Sequence, residues 1–207
     1  MLSSRDDRSF WLHRLHSLSG LVPIGGFLAF HLYENYAALG GPDHYNQVAH
    51  RLQELPLAVA LEIAVIGVPL FYHGIYGLFV TATAQPNPLE NRFRRNWLYL
   101  AQRVSGVILF AYILFHLWTT RFVNLAHHEE VNLFAQVASA VRSPAILAFY
   151  LLGILSATFH LANGIWSFCI VWGITVSPRS QRLMEYVSIL VFLVLSIIGV
   201  RAIFAFV

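Results

Sequence analysis

Lysine is absent from the 207-residue sequence, and all thirteen basic residues are arginine. Retinal and pyridoxal phosphate both need a lysine amine for their Schiff base, so neither is a cofactor here. Cysteine is nearly absent too. Cys169 stands alone, which excludes an intrachain disulfide and an iron–sulfur cluster held by this chain, and no Cys-x-x-Cys-His is present for covalent haem attachment. Any haem must therefore be held by histidine or methionine. Charge is scarce: 11% of residues are Asp, Glu or Arg, against about 25% in a soluble domain.

What fills the chain is apolar. Hydrophobic residues make up 57% of it, and the mean hydropathy is +0.63. Such a composition is that of a polytopic membrane protein, all-α, because only helices that satisfy their own backbone hydrogen bonds, or closed barrels, cross lipid. Apolar runs long enough for a hydrocarbon core, which takes about 20 residues, lie near 17–39, 57–83, 97–121, 145–172 and 183–206. They predict five transmembrane helices in one domain, 1–207. The opening "MLSSRDDRSFWLHRLHS" is too polar for the start of a cleaved signal peptide.

The arginines orient the spans. Arg5, Arg8, Arg14, Arg92, Arg94, Arg95, Arg179 and Arg182 gather on one side of this layout, whereas Arg51, Arg121, Arg142 and Arg201 flank the other. The positive-inside rule then puts the N-terminus in the cytoplasm and the C-terminus outside. The net charge of +3 reads as topology, not as nucleic-acid binding. "PDHYNQVAHRLQEL" and "EEVNLFAQVASAV" have the mixed spacing of short helices on the membrane surface, lidding the outer span ends.

Ten histidines in so apolar a chain are the unusual feature. His13, His16, His44, His50, His127 and His128 fall in predicted termini or loops, the last two in a "HHEE" run that reads as solvated. His31, His73, His116 and His160 fall inside spans. Counting 1.5 Å per residue along alternating helices puts His31 and His116 nearer the outer face and His73 and His160 nearer the cytoplasm. A repeat supports the pairing. "FHL" recurs 85 positions on at His116, and His-x-x-x-Gly followed by an apolar and an aromatic residue recurs 87 positions on at His160. Spans one and two read as a hairpin duplicated in spans three and four, related by a pseudo-twofold axis along the membrane normal. Facing histidines at two levels would enclose two bis-histidine haems, an electron path across the membrane. Gly25, Gly26, Gly74, Gly77, Gly106, Gly153 and Gly164 would let a flat macrocycle approach the backbone, and serve plain helix packing equally.

Other polar groups frame those levels. Arg14 and Arg103 occupy matching inner ends of spans one and three, where a guanidinium pairs with haem propionates or, alternatively, with anionic headgroups. Glu62 lies eleven residues before His73, about 16 Å toward the outer side. A carboxyl at that depth is a candidate proton donor. A cofactor-free proton or ion relay and a purely structural anchor are the competing readings.

Several longer stretches carry a family likeness: "HRLHSLSG", "RNWLYLAQRVSGVI", "FHLANGIWSF", "WGITVSPRSQR" and "GVRAIFAFV". Over nearly its whole length the chain resembles the cytochrome b membrane-anchor subunit of succinate:quinone oxidoreductase, single-chain, five-helix and di-haem, and within it the menaquinone-linked members. The resemblance implies two haem b groups, with His31 and His116 as iron ligands of the outer one and His73 and His160 of the inner one. His16 matches a histidine that is not axial. It further implies a flavoprotein subunit and an iron–sulfur subunit as partners, since this chain has neither Gly-x-Gly-x-x-Gly nor the cysteines to do their work. Electrons would pass from the cytoplasmic side to menaquinone near the outer face, or in reverse as a fumarate reductase. Glu62, Tyr33 and Trp118 are the quinone and proton candidates.

Overall fold

The computed structural model describes residues 4–126 and 131–207; the "HHEE" run at 127–130 lies outside the described residues. Every regular element among them is helical. Five helices are long and apolar enough to cross a membrane: α1 (Arg8–Gly40), α3 (Ala58–Ala82), α4 (Arg94–Phe122), α6 (Pro144–Val171) and α7 (Pro178–Phe204). Two shorter ones, α2 (Pro42–Gln53) and α5 (Leu133–Val141), fill the connections after α1 and α4. The chain has five candidate membrane spans, as the hydropathy predicts, but the helix that continues into the first span is already formed at Ser4, more than three turns before the expected residue 17. His13 and His16 therefore lie on that helix, not in an N-terminal tail.

Start signals come from a few residues. Pro144 and Pro178 each sit in a first turn, where proline's missing N–H costs nothing. Ser177 and Ser180 close a reciprocal capping box at the head of α7. Three spans are not regular throughout. α1 widens to π-helical turns at Gly20–Ile24, α3 at Glu62–Gly67 and α4 at Trp118–Phe122. The first contains Pro23 and the second ends just before Pro69, each a residue without an N–H whose ring crowds the carbonyl one turn back. The third has no proline. There, Thr119 and Thr120 hydroxyls donate to the carbonyls of Phe115 and His116, at 2.9 and 2.6 Å.

α6 is the central helix, burying Tyr150, Gly153, Ile154, Ser156, Thr158, Ala162 and Cys169. α7 packs closely on it because Gly199 lacks a side chain: a Cβ there would come within 2.7 Å of Ile154. Thr158 and Ser196 share a buried hydrogen bond of 2.8 Å across the same seam. The densest apolar cluster, Ala38, Tyr45, Val141, Tyr150, Ile154, Ile203 and Phe206, lies where α1 ends and α7 ends. We call this end the far face and the end where α1 starts the near face. α2 and α5 close over the far face and join each other there, Asn46 donating to Asn132 Oδ1 at 2.9 Å and accepting from the Phe134 N–H at 3.1 Å. α3 is the exception in packing, for none of its described residues is buried.

Candidate functional site

Toward the near face, His73 of α3 and His160 of α6 bring their ring centroids to 6.2 Å. Each ring is held by its Nδ1. His73 Nδ1 donates to the His16 carbonyl at 3.0 Å, and His160 Nδ1 to the Gln102 carbonyl at 3.1 Å, with Ser105 Oγ also 3.1 Å away. The two acceptors occupy matching places in "HSLSG" (16–20) and "QRVSG" (102–106), and in both the serine hydroxyl donates to the same carbonyl, at 2.9 and 3.0 Å. Both stretches end in a glycine that admits the ring: a Cβ at Gly106 would sit 3.1 Å from His160 Cε1, and one at Gly20 would overlap the His73 ring. A carbonyl on Nδ1 fixes the tautomer that leaves Nε2 with a free lone pair, the form in which imidazole binds a metal.

A third imidazole joins this pair. The His16 ring stacks on His73 at 4.0 Å and 10°, and a Cβ at Gly77 would meet it at 3.2 Å. Gln102 also ties α4 to α6, donating to the His160 carbonyl at 3.1 Å and accepting from Asn163 at 2.8 Å.

Toward the far face, His31 of α1 and His116 of α4 have ring centroids 5.8 Å apart. Their surroundings are aromatic: Phe27 stacks beside His31, and Tyr112 beside His116 with Tyr150 edge-on. Neither Nδ1 meets a carbonyl here. The Asn35 amide nitrogen lies 3.3 Å from both ring nitrogens of His31 and donates to its carbonyl at 2.8 Å, while Asn35 Oδ1 accepts from Tyr45 Oη at 3.1 Å. Burial, then the charge of Glu34 and Tyr150, pushes the Tyr45 phenol up to about 12, so it stays a donor at physiological pH.

These pairs fit haem iron. Metal–imidazole bonds of about 2 Å on either side of one ion put two ring centroids about 6 Å apart. Among the described residues no three His, Cys, Asp or Glu side chains are placed to hold one metal ion together, and His16 stacks face to face on His73. Six buried side-chain polar atoms among those residues have no partner: His116 Nδ1 of the far-face pair, Nδ1 of His16, which stacks on His73, and Arg14 Nε, Arg103 Nε, Thr175 Oγ1 and Ser188 Oγ. Unsatisfied buried donors cost about 1–3 kcal/mol each, and a group with carboxylate arms between the spans would satisfy the near-face ones. Arg14 lies over the Phe10 and Trp172 rings and donates to the Val171 carbonyl at 3.3 Å. Arg103 lies over Tyr99 and donates to its carbonyl at 3.0 Å.

The three quinone and proton candidates do not converge in the same way. Tyr33 is 72% exposed and Trp118 65%, Trp118 resting against Phe122. Glu62 is half-buried and paired with Arg121 in a two-pronged bridge, Nε to Oε1 at 2.9 Å and Nη2 to Oε2 at 2.7 Å. In the sequence Arg121 reads only as a topology marker, and the two π turns that carry this bridge have a weak signature: Pro69 for one, the Thr119–Thr120 pair for the other.

The transmembrane-subunit family of succinate dehydrogenase and fumarate reductase matches residues 94–199. The succinate dehydrogenase cytochrome b558 subunit of Bacillus subtilis (strain 168) is 46% identical over 201 residues, covering 97% of this chain and 98% of that one. With five membrane-length helices and two facing histidine pairs in place, the chain belongs to the succinate dehydrogenase/fumarate reductase transmembrane-subunit family.

Proposed function

We propose that this chain is the di-haem membrane anchor of a succinate dehydrogenase, binding an inner haem b through His73 and His160 and an outer one through His31 and His116. The observation that carries the reading is the two imidazole pairs, His73 with His160 at 6.2 Å and His31 with His116 at 5.8 Å, each joining a histidine of α1 or α3 to one of α4 or α6. The relative's printed name, a cytochrome b558 subunit, supports haem b. When bound, the two haems supply one-electron transfer between the iron–sulfur subunit on one side and menaquinone on the other.

The chain's own residues do the rest. The His16 and Gln102 carbonyls hold the inner imidazoles in register with Nε2 inward. Arg14 and Arg103 sit at the same end with free Nε groups to neutralise propionates. Trp172 Nε1 donates to Ser17 Oγ at 3.0 Å and, with Arg14, seals the near face. The arginine asymmetry supports a cytoplasmic near face, where the flavoprotein and iron–sulfur subunits dock, in a multi-pass cell-membrane protein. On the far face α2 and α5 cover the span ends above the outer pair, and menaquinone would be met there, with Glu62, Tyr33 and Trp118 as the candidate residues.

The test is spectral. In the purified three-subunit complex, His116→Ala loses one b haem and His73→Ala the other, while both variants retain succinate oxidation by the soluble subunits with an artificial acceptor. Two single variants that each keep every haem band unchanged would exclude these ligands. A colourless complex would favour a histidine proton relay instead.

A further inference from the structure

The widened turn of α4 at Trp118–Phe122 starts two residues after His116, and an unusual set of polar contacts converges on it. Its Arg121 reaches across to Glu62, the first residue of the widened turn in α3. In a π turn the backbone is wider than an α-helix, and the carbonyls beside it lose regular partners. Here they find side chains. Gln136 of α5 donates to the Thr119 carbonyl at 2.8 Å, and Asn124 to the Thr120 carbonyl at 2.7 Å. The two amides also bond each other, at 2.9 and 3.2 Å. Thr120 Oγ1 closes on the carbonyl of His116 itself, at 2.6 Å. Contacts from α3, α5 and the chain after α4 thus all terminate on the turn that follows one histidine.

His116 needs that support more than the other three. His73 and His160 have carbonyls on Nδ1 and His31 has Asn35, but His116 Nδ1 is buried with no partner. Its orientation depends on its backbone and on the Tyr112 and Tyr150 rings. We propose that Arg121, clamped by Glu62, is a positioning residue for the outer haem: the bridge joins α3 to α4 and, with Gln136 holding the Thr119 carbonyl of the same turn, fixes the turn that aims His116. The bidentate geometry suits the task, since a guanidinium fork on a carboxylate fixes orientation as well as distance. A half-buried bridge also keeps more of its strength than a fully exposed one. Glu62 is then an anchor for Arg121, and its carboxylate is engaged on both oxygens.

The inference rests on the proposed haem ligation, and the experiment separates the two. The complex is titrated potentiometrically, following the haem bands, for wild type, Glu62→Gln, Arg121→Gln, Gln136→Leu and the exchanged pair E62R/R121E. His116→Ala identifies the outer component. Both bridge variants should shift the outer-haem midpoint or lower its occupancy, Gln136→Leu should move the same component less, and the exchanged pair should bring it back toward wild type. The inner component should hold still in all of them. Unchanged outer-haem midpoint and occupancy in Glu62→Gln and Arg121→Gln would overturn the proposal, as would equal shifts of both haems. Loss of quinone reduction with unshifted haems would also overturn it, making Glu62 a proton donor. A wild-type complex without two haems would instead remove the ligation on which it stands.

Discussion

An imidazole presents one nitrogen to a ligand reliably only when something holds the other. That rule divides the four span histidines: the near-face pair is anchored on backbone carbonyls, and the far-face pair relies on Asn35, aromatic rings and the turn after His116. It also explains two glycines. Gly20→Ala places a methyl inside the present position of the His73 ring, whereas Gly106→Ala meets His160 at 3.1 Å, a contact that a few tenths of an ångström relieve. Gly20→Ala should therefore displace His73 and lower inner-haem content well below wild type, and Gly106→Ala should shift its bands slightly. Pyridine-haemochrome content and the difference spectrum read both. The histidines themselves were legible from depth and repeat alone. His16 was not, because a histidine before the first apolar run looks like a terminal residue until the helix is seen to extend through it.

The elements differ in how they are held. α6 and α7 pack through small residues and a buried Thr158–Ser196 hydrogen bond. α3 buries no residue and is joined by a few polar contacts: Tyr72 to the Leu12 carbonyl at 2.9 Å, Tyr76 to His13 at 3.1 Å, His73 to the His16 carbonyl, and Glu62 to Arg121. In such a helix each polar contact carries a large share of the attachment. Tyr72→Phe removes one, at about 1 kcal/mol, and should raise proteolysis at the α3–α4 connection more than Thr158→Val does. The surface helices give a second check. Asn46→Ala deletes both hydrogen bonds that join α2 to α5, and the Tm should fall by a few degrees. Tyr45 adds a pH dependence to the same lid. Its folded pKa is raised to about 12, above the ordinary 10, so the folded state favours the neutral phenol. That contribution is complete below pH 10 and is lost as the pH rises to 12, and Tyr45→Phe should flatten the alkaline fall in Tm. Hydropathy located all five spans and both surface helices. It could not locate the π turns, which depend on where a proline ring meets the preceding turn and on side chains arriving from other elements.

Across the whole molecule the spans run as two hairpins, α1–α3 and α4–α6, with α7 packed on α6 and on α1. Each hairpin contributes one histidine to each level, so neither pair exists until both have folded together. Proteolytic separation at the α3–α4 connection, or expression of the two halves apart, should therefore yield no bound haem, and co-expression should restore it. The depth of each histidine along its span made the two pairs legible, but the chain's own packing leaves Arg14 Nε, His16 Nδ1 and Arg103 Nε unsatisfied toward the near face. Those gaps are what the proposed cofactors complete. The most direct measurement is haem stoichiometry: pyridine-haemochrome haem b per chain in the purified complex, checked against the dithionite-reduced minus oxidised spectrum. Two b haems per chain, falling to one in His116→Ala and in His73→Ala, is the predicted result; a wild-type chain with no haem would contradict it.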